Sequence, residues 1–495
     1  MEDVGTPVPG YTRFKVVTMC ACFDPLQATA TAIQVTCDSL LDPDRLQRVR
    51  ARRLERLLQT CVTRSPLYRK CLRGLDPASA QLHDLPVAHR ARLMRQFDQW
   101  VTDSSIRLAE LRSFVNRPEL IADAYQGRYI VWQSSGTSGE PGIFVQDAAA
   151  MAAYDSLEAV RGPFIRWAMS PATGAGLRSN LALIGASEEH YASTVSAERL
   201  RRLNPWISLR LHEVSFLQPM PRLRQALEAI DPVVIATFPS VALQLAQAFR
   251  DGRLDVAPQE IWVGGETLSR PTREFIEHTF DCRVRNSYGA SEFLSIAFEC
   301  SRGALHLNAD WVILEPLDAH GRPVPLDVEG ESVLLTNLAN HVQPLVRYVL
   351  PDRVTLHSRR CACGSTLPLL TVHGRDDDVL RLPGRGRGTV TVSPLAITTV
   401  IEERAGLLDF QVQQLSRTEV ALVSRRHDAD ADARRQCAAR ELAGYLAELG
   451  AVGVQVTDAG RPMPGVGPGA KVRRVVALHR ASYPRRVAQE HRPSA

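Results

Sequence analysis

The sequence has no apolar run of about 18 residues or more, the length a membrane-spanning helix needs, so neither a transmembrane segment nor a membrane partner is expected. Its opening stretch, MEDVGTPVPG, is acidic and rich in proline and glycine. It lacks the basic and apolar regions of a secretory signal, and a cytoplasmic location is the expectation. Cysteine is sparse, ten in 495 residues. That excludes a disulfide framework and makes clustered cysteines better read as metal ligands or catalytic thiols. The net charge is only +5, with basic residues scattered or paired with acids. No basic, aromatic-interleaved stripe offers a nucleic acid a footprint, so no such partner is expected. Walker endings, nucleophile elbows in a convincing context, internal repeats and long low-complexity tracts are also missing.

The length allows three or four lobes at about 150 residues each. Residues 1–40 show no clear period and are left as an extension of unknown order. The stretch Pro43–Leu72 has leucines near helical spacing, with Ser65-Pro66 as its stop. Residues 130–146, YIVWQSSGTSGEPGIFV, read as strand, Gly/Ser loop and strand, and 148–161 as helix. From 180 to 290 short apolar runs (181–186, 233–238, 261–265) alternate with helical stretches (221–230, 240–249), which argues for βαβ units and a mostly parallel sheet. Residues 305–356 read as a β-rich lobe. The Gly-, Arg- and Asp-rich span 374–388 has the composition of a hinge, and 390–480 carries the pattern of a small α+β domain.

Two segments carry chemistry. Ser134-Ser135-Gly136-Thr137-Ser138-Gly139 places two glycines and four hydroxyls between strands. Backbone N–H groups of such a loop can cradle phosphate oxygens. In Asn286-Ser287-Tyr288-Gly289-Ala290-Ser291-Glu292, an aromatic can stack a base, the glycine allows close approach, and the carboxylate suits Mg²⁺, which usually takes one or two carboxylates plus substrate phosphates. A third set, Cys300, His306, Cys361 and Cys363, has the composition of a closed Zn²⁺ site. The alternative is four residues that never meet. The remaining cysteines read as packing, and His341, His357 and His373 as satisfied or surface histidines.

Together these segments resemble the adenylate-forming superfamily of acyl-CoA synthetases, and within it the phenylacetate–CoA ligase family. SSGTSGEPG is similar to that family's phosphate loop, Gly264-Gly265-Glu266 to its GGE segment and YGASE to its YGxxE turn. Arg347-Tyr348 through Asp352 resembles RYxxxD, HGRDDDVL resembles the GRxDDML hinge, and Lys471 in GPGAKVRRVV resembles the C-terminal lysine. SPLYRKCL and LPVAHRARL resemble the N-terminal SPFYR and LPFTxKxDL stretches, so the resemblance runs from about residue 45 to 478.

The resemblance implies an α/β fold with a large N-terminal adenylation domain, 1–373, of parallel sheets flanked by helices plus a β-rich lobe. A hinge with a Gly/Arg-rich insertion, 374–388, then joins it to a small mobile C-terminal α+β domain, 389–495. It implies an enzyme that uses ATP and Mg²⁺ to turn a small carboxylic acid, most simply an aryl or arylacetic acid, into acyl-AMP. The acyl group would pass to CoA as co-substrate. Ser134, Ser135, Gly136, Thr137, Ser138 and Gly139 would hold the β- and γ-phosphates, and Gly265, Glu266 and Gly289 would complete the nucleotide site. Tyr288 would stack on adenine, Glu292 reach Mg²⁺, Asp352 take the ribose hydroxyls and Arg375 the ribose or α-phosphate. Asp377 would be the hinge and Lys471 the catalytic lysine. A structural Zn²⁺ on Cys300, His306, Cys361 and Cys363 is consistent with relatives that carry Cys and His at similar places. The sequence departs from the pattern at Gly142, where many superfamily members have lysine, and at PGRGRGTVT (383–391), an insertion at the thiol-binding face. The insertion keeps an acyl carrier protein or an amine open as acceptor. A non-catalytic nucleotide-binding relative is the reading from another class, and a homodimer is left open. The acid was expected to lie against residues near 181–186, 236–240 and 263–266.

Overall fold

The computed structural model describes residues 22–134, 141–169, 179–185, 189–216, 218–386, 388–424, 429–458 and 473–478. Within the span left as an extension, Pro25–Asp38 is a helix. Asp24 caps it by accepting from the Leu26 and Gln27 amides, Pro25 takes its first position, and it packs on the helix Ala148–Arg161. The stretch from Pro43 forms two helices, Pro43–Arg64 and Pro66–Cys71. Between them Ser65 is extended (ψ 115°), because the Pro66 ring excludes helical backbone at the residue before it. Leu54, Leu57, Leu58 and Cys61 turn one face of the first of these helices into the core.

Strands β1 (Ile130–Gln133) and β2 (Ile143–Gln146) pair antiparallel around the Gly/Ser loop. Strands β3 (Asn180–Gly185), β4 (Leu211–Ser215), β5 (Pro232–Thr237), β6 (Glu260–Gly264) and β7 (Arg283–Ala290) lie parallel in the order β4-β3-β5-β6-β7. Their crossovers are helices such as Met220–Ile230, Pro239–Arg250 and Arg270–Phe280. Ala182, Ile235, Ile261 and Val284 form a row across this sheet and pack against Leu227, Leu245 and Ile276 of those helices. The expected βαβ alternation is therefore present.

After β7 the chain reverses. Strands β8 (Phe293–Glu299) and β9 (Leu305–Leu307) continue the same sheet antiparallel. Strands β10 (Val312–Leu317), β11 (Ser332–Asn337) and β12 (Tyr348–Leu350) form a separate three-stranded sheet, the expected β-rich lobe. Strands β13 (Asp352–His357) and β14 (Leu369–Arg375) then rejoin the large sheet beside β9, completing nine strands.

A single 3-10 turn, Asp376–Asp378, leads out of β14. Strands β15 (Leu380–Pro383) and β16 (Thr389–Val392) pair as a hairpin, so the span expected as hinge and insertion contains a strand. Leu380, Leu382 and Val392 are buried in one cluster with Ile397, Ile401, Leu442 and Val475. That cluster is the core of the C-terminal unit, whose four strands, β17 (Gln411–Gln414), β18 (Glu419–Val423), β19 (Gln455–Asp458) and β20 (Val475–Val476), run in the order β19-β18-β17-β20. Among the described residues no helix is long and apolar enough to cross a membrane.

Candidate functional site

Tyr288 stands at the carboxyl end of the last parallel strand, where the sheet switches direction, the place at which open α/β sheets bind ligands. Gly289 is required there by space. A Cβ on it would come within 1.9 Å of the Leu294 carbonyl oxygen, across the tight β7–β8 turn. The Tyr288 hydroxyl donates to Asp352 Oδ2 at 2.8 Å. Asp352 opens β13 directly opposite Arg375, the last residue of β14. Three separate segments thus meet through one strand pairing and one hydrogen bond. Burial, and next the Asp352 carboxylate, push the Tyr288 phenol well above its ordinary range, so it stays a donor.

Glu292 is the second residue of the two-residue β7–β8 turn and is 8% exposed. Its Oε1 accepts from the Tyr348 hydroxyl at 2.9 Å, and its carbonyl accepts from Asn337 Nδ2 at 2.9 Å. Burial raises its carboxyl above the usual range, while the Tyr348 hydrogen bond pulls the other way. Asn337 also receives the Ala339 and Asn340 amides on Oδ1, so the backbone beneath Glu292 is held rigidly.

At the Gly/Ser loop, the Ser134 amide donates to the Gly142 carbonyl and the Gly142 amide to Ser134 Oγ, both at 2.8 Å. The loop is closed at its base by this reciprocal pair. Ser135, Gly136, Thr137, Ser138, Gly139 and Lys471 lie outside the described residues, as does the Asp377 side chain. Gly265, at φ +77°, follows β6 in a backbone conformation that favours glycine. The Glu266 carboxylate accepts from the Ser240 amide (3.0 Å) and hydroxyl (3.1 Å), so it caps the helix Pro239–Arg250 while it lines the site.

A cavity of about 700 Å³ joins these groups. Ser134, Gly265, Glu266, Tyr288, Gly289, Glu292, Asp352 and Arg375 all line it. So do Arg473, Arg474 and Val475 of the C-terminal unit, which places the cavity between the two units. Its size suits a small-molecule ligand. Four lining groups were given no role in the sequence reading. The first is Asn286, whose buried Oδ1 has no hydrogen-bond partner among the described residues. The others are Arg90, Tyr348 and the Arg473–Arg474 pair. Asn286, Arg90 and Tyr348 lie within the family-like stretches NSYGASE, LPVAHRARL and LVRYVLPD, and that membership was the available signal for them.

Of the three segments expected to line the acid pocket, the 263–266 segment reaches this cavity, through Gly265 and Glu266. Phe238 packs edge-on against Phe216 at 5.8 Å, and Trp262 against Trp167 at 6.5 Å.

Cys300, His306, Cys361 and Cys363 do meet. Their ligand atoms lie within 4.8 Å of one another. Cys300 Sγ is 3.9 Å from Cys361 Sγ, and Cys363 Sγ is 3.4 Å from His306 Nε2. Tetrahedral bonds of about 2.3 Å put two sulfurs about 3.8 Å apart, so the spacing fits zinc. His306 Nδ1 faces the Leu367 carbonyl at 2.8 Å. A carbonyl only accepts, which puts the proton on Nδ1 and leaves Nε2 for a metal. Of the histidines read as satisfied, His341 contacts Thr60, His357 contacts Thr371 and Asp327, and His373 contacts Thr355. Cys22 and Cys61 are buried as packing residues, whereas Cys37 is exposed.

No family model matches the chain. It is 30% identical over 181 residues to phenylacetate-coenzyme A ligase of Thermus thermophilus, covering 34% of this chain and 39% of that protein. It is 28% identical over 169 residues to Protein CapK of Staphylococcus aureus, covering 33% and 36%. The chain thus spans less than two fifths of the length of these curated relatives. Among solved structures, it is similar to 2-hydroxyisobutyryl-CoA ligase crystallised in the postadenylation state in complex with 2-HIB-AMP. The TM-score is 0.64 at 19% identity, over 89% of this chain and 91% of the other. The likeness to this structure shows the fold, and the sequence similarity agrees with the motif resemblance to phenylacetate–CoA ligases.

Proposed function

We infer that this protein is an AMP-forming ligase that activates a carboxylic acid with ATP and passes the acyl group to CoA. The observation that carries the reading is the convergence of Tyr288, Glu292, Asp352 and Arg375, drawn from three separated segments, on one cavity between the two units. In the first step a carboxylate oxygen attacks the α-phosphorus and the bond to pyrophosphate breaks. In the second the CoA thiol adds to the acyl carbon, AMP leaves, and the thiol proton passes to solvent.

The roles follow from the groups in place. Tyr288 offers its ring to adenine, and the unpartnered Asn286 Oδ1 suits the exocyclic amine. Asp352 accepts from Tyr288 on one oxygen and has the other for a ribose hydroxyl. Arg375, whose charge acts on both Tyr288 and Tyr348, stands toward the ribose and α-phosphate. Glu292 is a buried carboxylate oriented by Tyr348, which fits an Mg²⁺ shared with substrate phosphates. That ion, when bound, supplies neutralising charge. Lys471 is proposed as the catalytic lysine because the chain two residues on, Arg473–Val475, lines the cavity. It would stabilise charge as carboxylate and phosphate meet. The hinge is assigned to the turn Asp376–Asp378, where Arg473 Nε also reaches Asp378 at 2.6 Å. The Cys300, His306, Cys361 and Cys363 set is assigned to structural zinc.

An aryl or arylacetic acid is favoured by the Thermus relative, which is a phenylacetate-coenzyme A ligase. The test is ATP–pyrophosphate exchange against aryl, arylacetic and short aliphatic acids, followed by thioester detection with CoA. Acid-dependent exchange that Lys471→Ala abolishes, with ATP binding kept, is the expected result. Exchange with no acid at all would refute the reading.

A further inference from the structure

We propose that Arg347 is a positioning residue: its guanidinium pins a left-handed turn that aims Tyr348 at Glu292, and so sets the carboxylate assigned to Mg²⁺. The proposal rests on that assignment in the ligase reading above.

Strands β11 and β12 do not keep step where they meet. Leu335 pairs with Tyr348, but two residues further along β11 the Asn337 amide donates to the Leu345 carbonyl, three residues before Tyr348. The returning chain therefore takes up one extra residue there. That is a β-bulge, a device that re-aims a side chain beside a site. Arg347 lies within it. Its φ is +45°, in the left-handed region that a residue with a Cβ adopts rarely and at a cost. Its amide donates to the Thr336 hydroxyl oxygen at 3.0 Å rather than to a strand carbonyl.

Such a conformation persists only where its surroundings hold it. Arg347 is buried, and its own side chain does the holding. Nε donates to Glu315 Oε2 at 3.1 Å and Nη1 to the Leu85 carbonyl at 2.7 Å. Glu315 lies on β10 and Leu85 far earlier in the chain, so the planar fork ties the turn to two separate segments. The Arg347 carbonyl is engaged as well, by the Ala88 amide at 3.0 Å. The next residue is Tyr348, which lines the cavity and donates to Glu292 Oε1 at 2.9 Å. Asn337 fixes the backbone of Glu292, whereas Tyr348 orients its carboxylate. Relaxing the turn at 347 to plain strand would shift the register by one residue and carry the tyrosine toward the other face. Mg²⁺ demands near-ideal octahedral geometry, so a misdirected carboxylate should weaken the metal complex more than the nucleotide alone.

The test compares alanine with glycine. Both remove the guanidinium from Glu315, but only glycine adopts the left-handed φ freely. Arg347→Ala and Arg347→Gly are made in the full chain, and ATP is titrated by calorimetry in Mg²⁺ and in EDTA, with melting curves as a folding control. Arg347→Ala should weaken ATP binding in Mg²⁺ at least about tenfold, and Arg347→Gly no more than about threefold. In EDTA both should stay within about twofold of wild type. An arginine that served only the fold would give no such split, and glycine would then be the worse substitution. Tyr348→Phe should reproduce the Mg²⁺ loss, and adding Arg347→Ala to it should cost no more than about twofold further, because both act along one path. Arg347→Lys, which keeps a charge beside Glu315 without the fork, replaces the alanine variant if that one does not fold. Equal Mg²⁺ loss in the alanine and glycine variants would overturn the proposal. So would an equal loss in EDTA, or additive effects of Arg347→Ala and Tyr348→Phe. A wild type whose ATP binding ignores Mg²⁺ would sink it too. Absence of acid-dependent exchange in a wild type that binds ATP with Mg²⁺ would instead strike the ligase reading, since these titrations need no acid.

Discussion

Replacing Glu402 should loosen the seat of the C-terminal unit on the N-terminal one. Glu402 lies on the helix Pro394–Ala405, its side chain fully buried, and is surrounded by groups from both units. From the N-terminal unit, the Thr272 hydroxyl donates to Oε1 at 2.9 Å and the Ser269 hydroxyl donates to Oε2. From its own unit Arg474 pairs with Oε1, while its guanidinium lies 4.2 Å over the Phe410 ring. Each hydrogen bond to a charged acceptor is worth about 1.5–3 kcal/mol, and two of them cross between units. Glu402→Ala should therefore cost the docked arrangement at least about 3 kcal/mol, a shift of about a hundredfold in the undocked population. Limited proteolysis in the 376–388 stretch reads that population directly. The decisive assay is a double-mutant cycle of Glu402→Ala with Thr272→Val, scored by cleavage rate and by the exchange reaction. A coupling of about 1.5 kcal/mol is expected. Additive effects, within about 0.5 kcal/mol, would refute the reasoning that Glu402 bridges the two units.

Four further outcomes follow from the same structure. Purified protein should hold about one zinc per chain, and Cys363→Ser or chelation should lower the melting temperature; under about 0.2 equivalents of zinc removes the site. Gly289→Ala should cost about 3 kcal/mol in urea unfolding, because its Cβ would sit 1.9 Å from a backbone oxygen. Gly444→Ala, in the helix Ala429–Glu448 with nothing within 4 Å, should gain about 0.5–1 kcal/mol; a loss there would contradict the geometry. Burial, and next the charge of Glu198, push Glu213 on β4 up to about 7 from 4.5. The folded state thus holds this proton more tightly than the unfolded one. Its stabilising share is complete below pH 4.5 and is lost as pH rises through about 7. Glu213→Gln should remove about 1–2 kcal/mol of the fall in urea stability between about pH 5 and about pH 8.

The parallel half of the large sheet was readable because β3, β5 and β6 are buried on both faces and appear as short continuous apolar runs. The helix Pro25–Asp38 was not, because its start depends on one cap, Asp24, and most of its residues are exposed. The strand β15 was hidden by its glycine- and arginine-rich continuation, although Leu380 and Leu382 are core residues. At the site, Tyr288, Glu292, Asp352 and Arg375 were named from motifs, since backbone constraints such as the one at Gly289 leave a local signature. Glu402 had none. It acts through neighbours from another segment, and such contacts are set by packing rather than by spacing along the chain.

By itself, the sequence determined the alternation of elements and the residue types of the motifs, because burial period and turn chemistry are local properties. Only the tertiary structure decided which of those residues face one cavity and that four zinc-type ligands converge. Those outcomes depend on how the β7–β8 reversal and the return of β13 and β14 bring separated segments together, a long-range result of sheet pairing.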